Sequence, residues 1–431
     1  MKKFYNNRVL TTYFIIQPII DIITGLMKYY FDLPLSLAMI VRFMFILYCG
    51  LYLIVSKNKK VYAFFGIWFT YFLVSIVGNY IIKDNFSIVH HAYNLFRLIY
   101  FQIVLLFFYL YLKKHKSIDN QTFTKMGFIV GISLLISLLT KTSFCSYDEF
   151  ENCLPKGYLG YFFSANEYGS ILIALLGYQM IEFIKKRKLI NLVVLSMLVL
   201  FLSLLGTKTS FIGLFGLFFV YIIYYLITAI FITPEKRDYR GAVVVMFLII
   251  VLVGVNIKRL PVYNNLYEIY FGTLETKTNE NPEINDKDLK KEVNNYLVFS
   301  GRNDFIAVNK EIYKNAPLFN KLFGITDQGN YYNEQLVNHI NERDFHDLYM
   351  IYGIVGLIVE SLLPLYLGIR LLKKLNKNVK LLLNDEIIIL GITLGLLLMV
   401  SYMAGHSLMH PAVAFYIAYI INDLLKKVAV S

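Results

Sequence analysis

Twelve apolar runs, each roughly 17 to 25 residues long and separated by short basic or polar clusters, leave this chain few ways to fold. A run of that length is what a helix needs to cross about 30 Å of hydrocarbon, and in lipid the backbone must satisfy its own hydrogen bonds. The runs lie near 9–30, 34–55, 61–82, 88–112, 124–144, 163–184, 189–205, 210–233, 240–257, 346–372, 385–404 and 411–425. With 57% apolar and only 16% charged residues, a soluble domain of 431 residues is excluded. The expected fold is an all-α polytopic membrane protein with about 12 transmembrane helices. The first run follows Met1-Lys2-Lys3 without a small-residue cleavage site, so it reads as a retained span.

Basic residues set the expected orientation, because positive loops stay cytoplasmic. Lys185-Lys186-Arg187-Lys188 and the cluster from Arg370 to Lys380 fall on one side, whereas the short loops on the other hold only Lys28, Lys83, Lys141, Lys156 and Lys208. Both termini are therefore expected inside, with the long polar segment near 258–345 forming a large extracytoplasmic loop. Four regions result: helices 1 to 5 in 1–157, helices 6 to 9 in 158–257, the loop in 258–345, and helices 10 to 12 in 346–431. The formal charge of +13 is a topology signal, dispersed at span ends, and nucleic-acid binding does not fit it.

Polar residues inside apolar runs mark pairs or cavities, since a charge in lipid costs about 2.5 to 3.5 kcal/mol on insertion scales. Arg42 and Arg97 sit roughly 12 to 14 Å inside their outer span ends. They read either as a positive cavity for an anionic head group or, with Asp21, as a structural pair. Glu360 is a carboxylate without an assigned role. Cys145 and Cys153 share an outer loop and read equally as a disulfide or as two thiols, while Cys49 is core.

Several outer turns carry candidate chemistry. Asn166-Glu167 enters the sixth run, where Glu167 also simply complements a helix N-terminus. Lys208 lies in the hairpin Gly206-Thr207-Lys208-Thr209-Ser210, with Thr209 or Ser210 expected to cap the next helix beside its ammonium, which is a phosphate-binding arrangement or a snorkelling Lys. Ser300-Gly301-Arg302 predicts a helix start, with Asp304 in its first turn and its end before Pro317; Arg302, Phe305 and Asn309 then share a face. A second helix is expected over 331–342, leading into Glu342-Arg343-Asp344-Phe345-His346-Asp347. His346 is placed at the top of the tenth span, above the Gly353-Ile354-Val355-Gly356 step, which allows another helix to approach closely. Asp286-Lys287-Asp288 reads as a solvated surface.

In this order, the pieces resemble the bacterial O-antigen ligase and Wzy polysaccharide-polymerase family of membrane glycosyltransferases. The residues carrying the resemblance are Asn166-Glu167, Gly206-Thr207-Lys208 where the family has Ser-Arg, Ser300-Gly301-Arg302 with Phe305, His346-Asp347-Leu348-Tyr349-Met350 followed by Gly353 to Gly356, and Gly405-His406 to His410-Pro411. It covers about residues 158–425. Two departures stand out. Lys208 keeps the charge of the family's Arg but loses its bidentate fork, and His346 lies nearer the glycine step than the family's His does, so that the family spacing lands on Glu342.

The resemblance implies a GT-C-like enzyme of the bacterial plasma membrane that takes a glycan from undecaprenyl diphosphate and passes it, with inversion, to an acceptor sugar hydroxyl. The base is His346 by local motif or Glu342 by spacing, with Asp344 a third candidate. Arg302 and Lys208, with Arg97, Arg42, Asn166, Glu167 and His406, form the expected substrate and diphosphate site. No cofactor or metal is required for these roles. Polymerisation of surface or wall polysaccharide is the leading expectation; a ligase acting on a lipid or wall acceptor is the alternative, and a lipid-linked oligosaccharide flippase the second. Other polysaccharide-assembly membrane proteins are conceivable partners.

Overall fold

The computed structural model describes residues 5–31, 36–83, 86–147, 153, 156–231, 239–280, 285–325, 341–405 and 407–430. Helices occupy all twelve apolar runs. In chain order these begin with α1 (Asn7–Phe31), α2 (Leu37–Val55), α3 (Lys59–Ile82), α4 (Ile88–Lys114), α5 (Asn120–Leu139), α6 (Ala165–Lys186), α7 (Leu189–Leu204), α8 (Lys208–Phe231) and α9 (Arg240–Val255). Five further helices follow: α10 (Pro261–Glu280), α11 (Asp286–Phe299), α12 (Arg302–Asn315), α13 (Leu318–Phe323) and α14 (Asp344–Met350). The chain closes with α15 (Gly353–Lys377), α16 (Asp385–Met403) and α17 (Pro411–Val430). Among the described residues, eight helices are long and apolar enough to cross a membrane. A two-stranded antiparallel ribbon, β1 (Phe144–Cys145) with β2 (Tyr158–Gly160), is a small departure from an all-α chain.

Several helices start where the sequence supplies a cap. Ser36, Asn58, Asp119 and Asn384 each accept a first-turn backbone N–H, satisfying donors that have no partner within the helix. The bundle is built around α6, in which every residue from Tyr168 to Ile184 is buried under α5, α7, α8, α16 and α17. Outward faces carry exposed Leu47, Phe69, Phe219, Leu248 and Leu365, as a lipid-facing surface requires. Two interior charges find partners: Arg42 Nη2 lies 2.5 Å from Asp21 Oδ1, and Gln102 Nε2 donates to Glu360 Oε2 at 2.6 Å.

The long helix of the tenth apolar run begins at Gly353 rather than at His346, so His346 belongs to the separate helix α14. The break is steric. Gly353 has φ +75°, and a Cβ there would stand 2.4 Å from Leu322 O and Gly324 N; at Gly356 it would meet the Tyr71 hydroxyl at 2.5 Å. The glycine step therefore serves the close approach of α13 and α3. Gly353→Ala is expected to lower the melting temperature in detergent, since the left-handed backbone alone costs an L-residue about 1 to 2 kcal/mol. Gly368→Ala, where a Cβ meets nothing within 4 Å, should leave thermal unfolding nearly unchanged.

Candidate active site

Three breaks between helices converge at one end of the bundle. The first is the hairpin between α7 and α8. Here Thr207 is the cap, in place of the expected Thr209 or Ser210: its Oγ1 accepts Ser210 N at 3.3 Å and pairs with the Ser210 hydroxyl at 2.6 Å. Asn265 of α10 staples the turn by donating to Gly206 O at 2.9 Å and to Lys156 O at 2.8 Å. Lys208 then reaches across to α11, where Nζ donates to Leu297 O at 2.6 Å and to Ser300 Oγ at 2.5 Å. A cation at the carbonyl end of a helix is electrostatically favourable. It commits two of the three ammonium donors.

The second break joins α11 to α12. Ser300 and Gly301 both adopt the left-handed region, at φ +52° and +78°, which reverses the chain and makes Arg302 the first residue of α12. The expected helix is present, with Asp304 in its first turn and its end at Asn315. Arg302 Nη2 lies 3.3 Å from Glu342 Oε2, and its buried Nε has no hydrogen-bond partner among the described residues.

The third break leads into α14, and each residue around Glu342 is pinned to a different element. Asn341 donates to Asp347 Oδ1 through its backbone N at 2.7 Å and its Nδ2 at 3.0 Å. Its Oδ1 accepts from Asn309 of α12 at 2.7 Å. Arg343 Nε donates to Tyr402 O at 2.9 Å and Nη1 to Asn303 Oδ1 at 3.1 Å, while the guanidinium stacks on Phe299 and Tyr402. Asp344, 2% exposed, accepts Ser401 Oγ at 2.6 Å, Ser407 N at 3.0 Å and Leu408 N at 2.8 Å on one oxygen. Between these pins Glu342 adopts φ +54°, an uncommon conformation for a residue with a Cβ that is characteristic of functional sites. Gly405 makes room for it: a Cβ there would stand 2.3 Å from Glu342 O.

These groups border three hollows. The first cavity, about 290 Å³, includes Tyr147, Asn166, Lys208, Ser300 and Arg302 in its lining, with an apolar wall from α8, α10 and α16. A second, about 400 Å³, includes Asp21, Lys28, Arg42, Arg97, Glu167 and His410. A narrow neck of about 20 Å³ is lined by Arg97, Glu342, Asp344 and Asp347. Of the expected site residues, Lys208, Arg302 and Asn166 thus come together, and Glu342 joins them through Arg302. Arg42, Arg97 and Glu167 border a different cavity. His406 and the helix expected over 331–342 lie outside the described residues, apart from Asn341 and Glu342.

His346 is not among the residues lining these hollows. Its ring centre is 6.3 Å from that of Tyr402, its Nδ1 is buried without a hydrogen-bond partner among the described residues, and burial, aided by Arg343, holds its pKa below the usual value. Asp344 is a latch that ties α14 to the segment before α17. Sequence reasoning missed Tyr147 and the pinning roles of Asn341, Arg343 and Asp347. The acidic and basic cluster around Glu342 was visible, but its partners on α12 and α16 are distant in sequence.

Asp344→Ala should release the segment before α17, because three buried donors lose their acceptor at about 1 to 3 kcal/mol each. Hydrogen exchange at Ser407 and Leu408 should accelerate, with a lower melting temperature.

The model of the family described as O-antigen ligase like membrane protein matches residues 2–430, essentially the whole chain. Among curated proteins, none matches this sequence significantly. The match over the full bundle, together with an assembly of Lys208, Arg302 and Glu342 at one membrane end, leads to one assignment: the chain belongs to the O-antigen ligase-like family of membrane proteins.

Proposed function

We propose that this membrane glycan-handling enzyme transfers a glycan from a polyprenyl diphosphate to an acceptor sugar hydroxyl, with the donor diphosphate held by Lys208 and Arg302 and with Glu342 as the base. The observation that carries the reading is the convergence of two cations on one cavity with a carboxylate 3.3 Å from one of them. The apolar wall of that cavity suits a prenyl chain, and the uncommitted Arg302 Nε and third Lys208 hydrogen suit phosphate oxygens. The Cys145–Cys153 disulfide closes the loop that brings Tyr147 to the cavity, which supports placing this end on the oxidising, extracytoplasmic side.

In the transfer, the acceptor oxygen bonds to the anomeric carbon as the bond from that carbon to the diphosphate oxygen breaks. The electron pair leaves with the diphosphate, where Lys208 and Arg302 stabilise it. The acceptor proton passes to Glu342. The Arg302–Glu342 contact is long, and Glu342 is about one-third exposed, so the pair contributes on the order of 1 kcal/mol or less. A diphosphate therefore competes readily for the guanidinium. His346, though neutral, lines neither the donor cavity nor the neck.

A lipid-linked acceptor makes the reaction polymerisation, whereas a finished lipid or wall acceptor makes it ligation, the outcome that the family's description favours. With purified full-length protein and a polyprenyl-diphosphate-linked glycan, a ladder of products identifies the first and a single transfer the second. In that assay Glu342→Gln should lower turnover about 10²- to 10⁴-fold, the range for a lost general base, and Arg302→Ala should be comparably damaging. His346→Ala should retain turnover within a few-fold. An active Glu342→Gln protein beside an inactive His346→Ala protein would move the base to His346.

A further inference from the structure

The second cavity adjoins the neck, since Arg97 lines both, whereas the neck and the first cavity share no lining residue. Asn166 and Glu167, adjacent at the start of α6, border the first and second cavities respectively. Arg97 lines both the second cavity and the neck, and Glu342 faces the neck while contacting Arg302. Glu342 is thus in contact with one cation of the first cavity and shares the neck with one cation of the second.

The chemistry of the second cavity is cationic. Its carboxylates are engaged: Asp21 with Arg42 at 2.5 Å, and Glu167 with His410 at 3.0 Å. Lys28, Arg42 and Arg97 outnumber these two acids. Arg97 carries no hydrogen bond to any described residue, and the Lys28 ammonium sits 3.4 Å over the Phe163 ring. Arg42 Nε and the Tyr168 hydroxyl are buried without hydrogen-bond partners among the described residues. Donors therefore converge on this space while its acceptors are already used, which is the complement of an anion. The cavity volume of about 400 Å³ falls within the range of small-ligand pockets.

We infer that the second cavity binds an anionic group of the acceptor, so that donor and acceptor each bring a negative charge to a cation near Glu342. This rests on the glycosyl-transfer reading and deepens it: the acceptor is a glycan carrying either a lipid diphosphate or an acidic sugar. The first source corresponds to a second lipid-linked unit, hence to polymerisation.

The test is a binding titration of purified full-length protein in detergent with farnesyl diphosphate, and separately with methyl glucuronide, read by calorimetry. Wild-type protein should bind two equivalents of anion in all. A Lys28→Gln/Arg97→Gln protein should lose one, by at least tenfold in affinity, and Lys208→Gln/Arg302→Gln should lose the other. Lys28→Arg/Arg97→Lys, which preserves charge, should retain both, separating charge from folding. If farnesyl diphosphate fills both sites, the acceptor charge is a lipid head; if methyl glucuronide alone fills the Lys28 and Arg97 site, it is an acidic sugar. A single wild-type equivalent, abolished by Lys208→Gln/Arg302→Gln and untouched by Lys28→Gln/Arg97→Gln, overturns the inference and leaves the donor site standing. Binding unaffected by Lys208→Gln/Arg302→Gln overturns the donor site on which it rests.

Discussion

The arrangement depends on a buried carboxylate, one oxygen of which accepts three hydrogen bonds. Asp344 accepts two backbone N–H groups and one hydroxyl from the segment between α16 and α17, and such a charge is tolerated in the interior only because those donors replace water. The latch fixes α14 against the bundle. With Asn341 tied to α12 and Arg343 clamped between α12 and the end of α16, it holds Glu342 in a left-handed conformation that an isolated chain would rarely adopt. The strain at Glu342 persists because its neighbours over-determine it.

Each site cation stands at or beside a helix terminus. Lys208 opens α8 and reaches the carbonyl end of α11, and Arg302 opens α12 directly after α11 closes. Helix ends leave backbone groups without partners, so a chain that must meet water-borne charge at a membrane surface places its polar chemistry there. Spanning interiors stay apolar or paired, as with Asp21 and Arg42, because an unpaired charge at that depth is expensive.

Asn309 and Arg302 illustrate how the helical period carries positional information. One turn pattern, i and i+7, puts both on the face of α12 that meets the chain at Asn341 and Glu342, one side chain to each. Periodicity in α12 thus selects which residue of the acidic cluster meets the cation.

From sequence alone, the lengths and spacing of the apolar runs determined the helices, because a lipid-spanning backbone has few alternatives. The start of α12, its first-turn Asp304, the glycine step and the pairing of Asp21 with Arg42 were legible for local or hydropathic reasons. What tertiary structure decided was which long-range partners those residues take. Thr207 displaced Thr209 and Ser210 as the cap, Gly353 ended the span above which His346 had been expected, and Asn166 and Glu167 separated into different cavities although adjacent. Asp344, indistinguishable in a run of charges from Glu342, became a latch through residues about sixty positions away. Such contacts are set by packing between helices, and a linear pattern holds no record of them until the bundle closes.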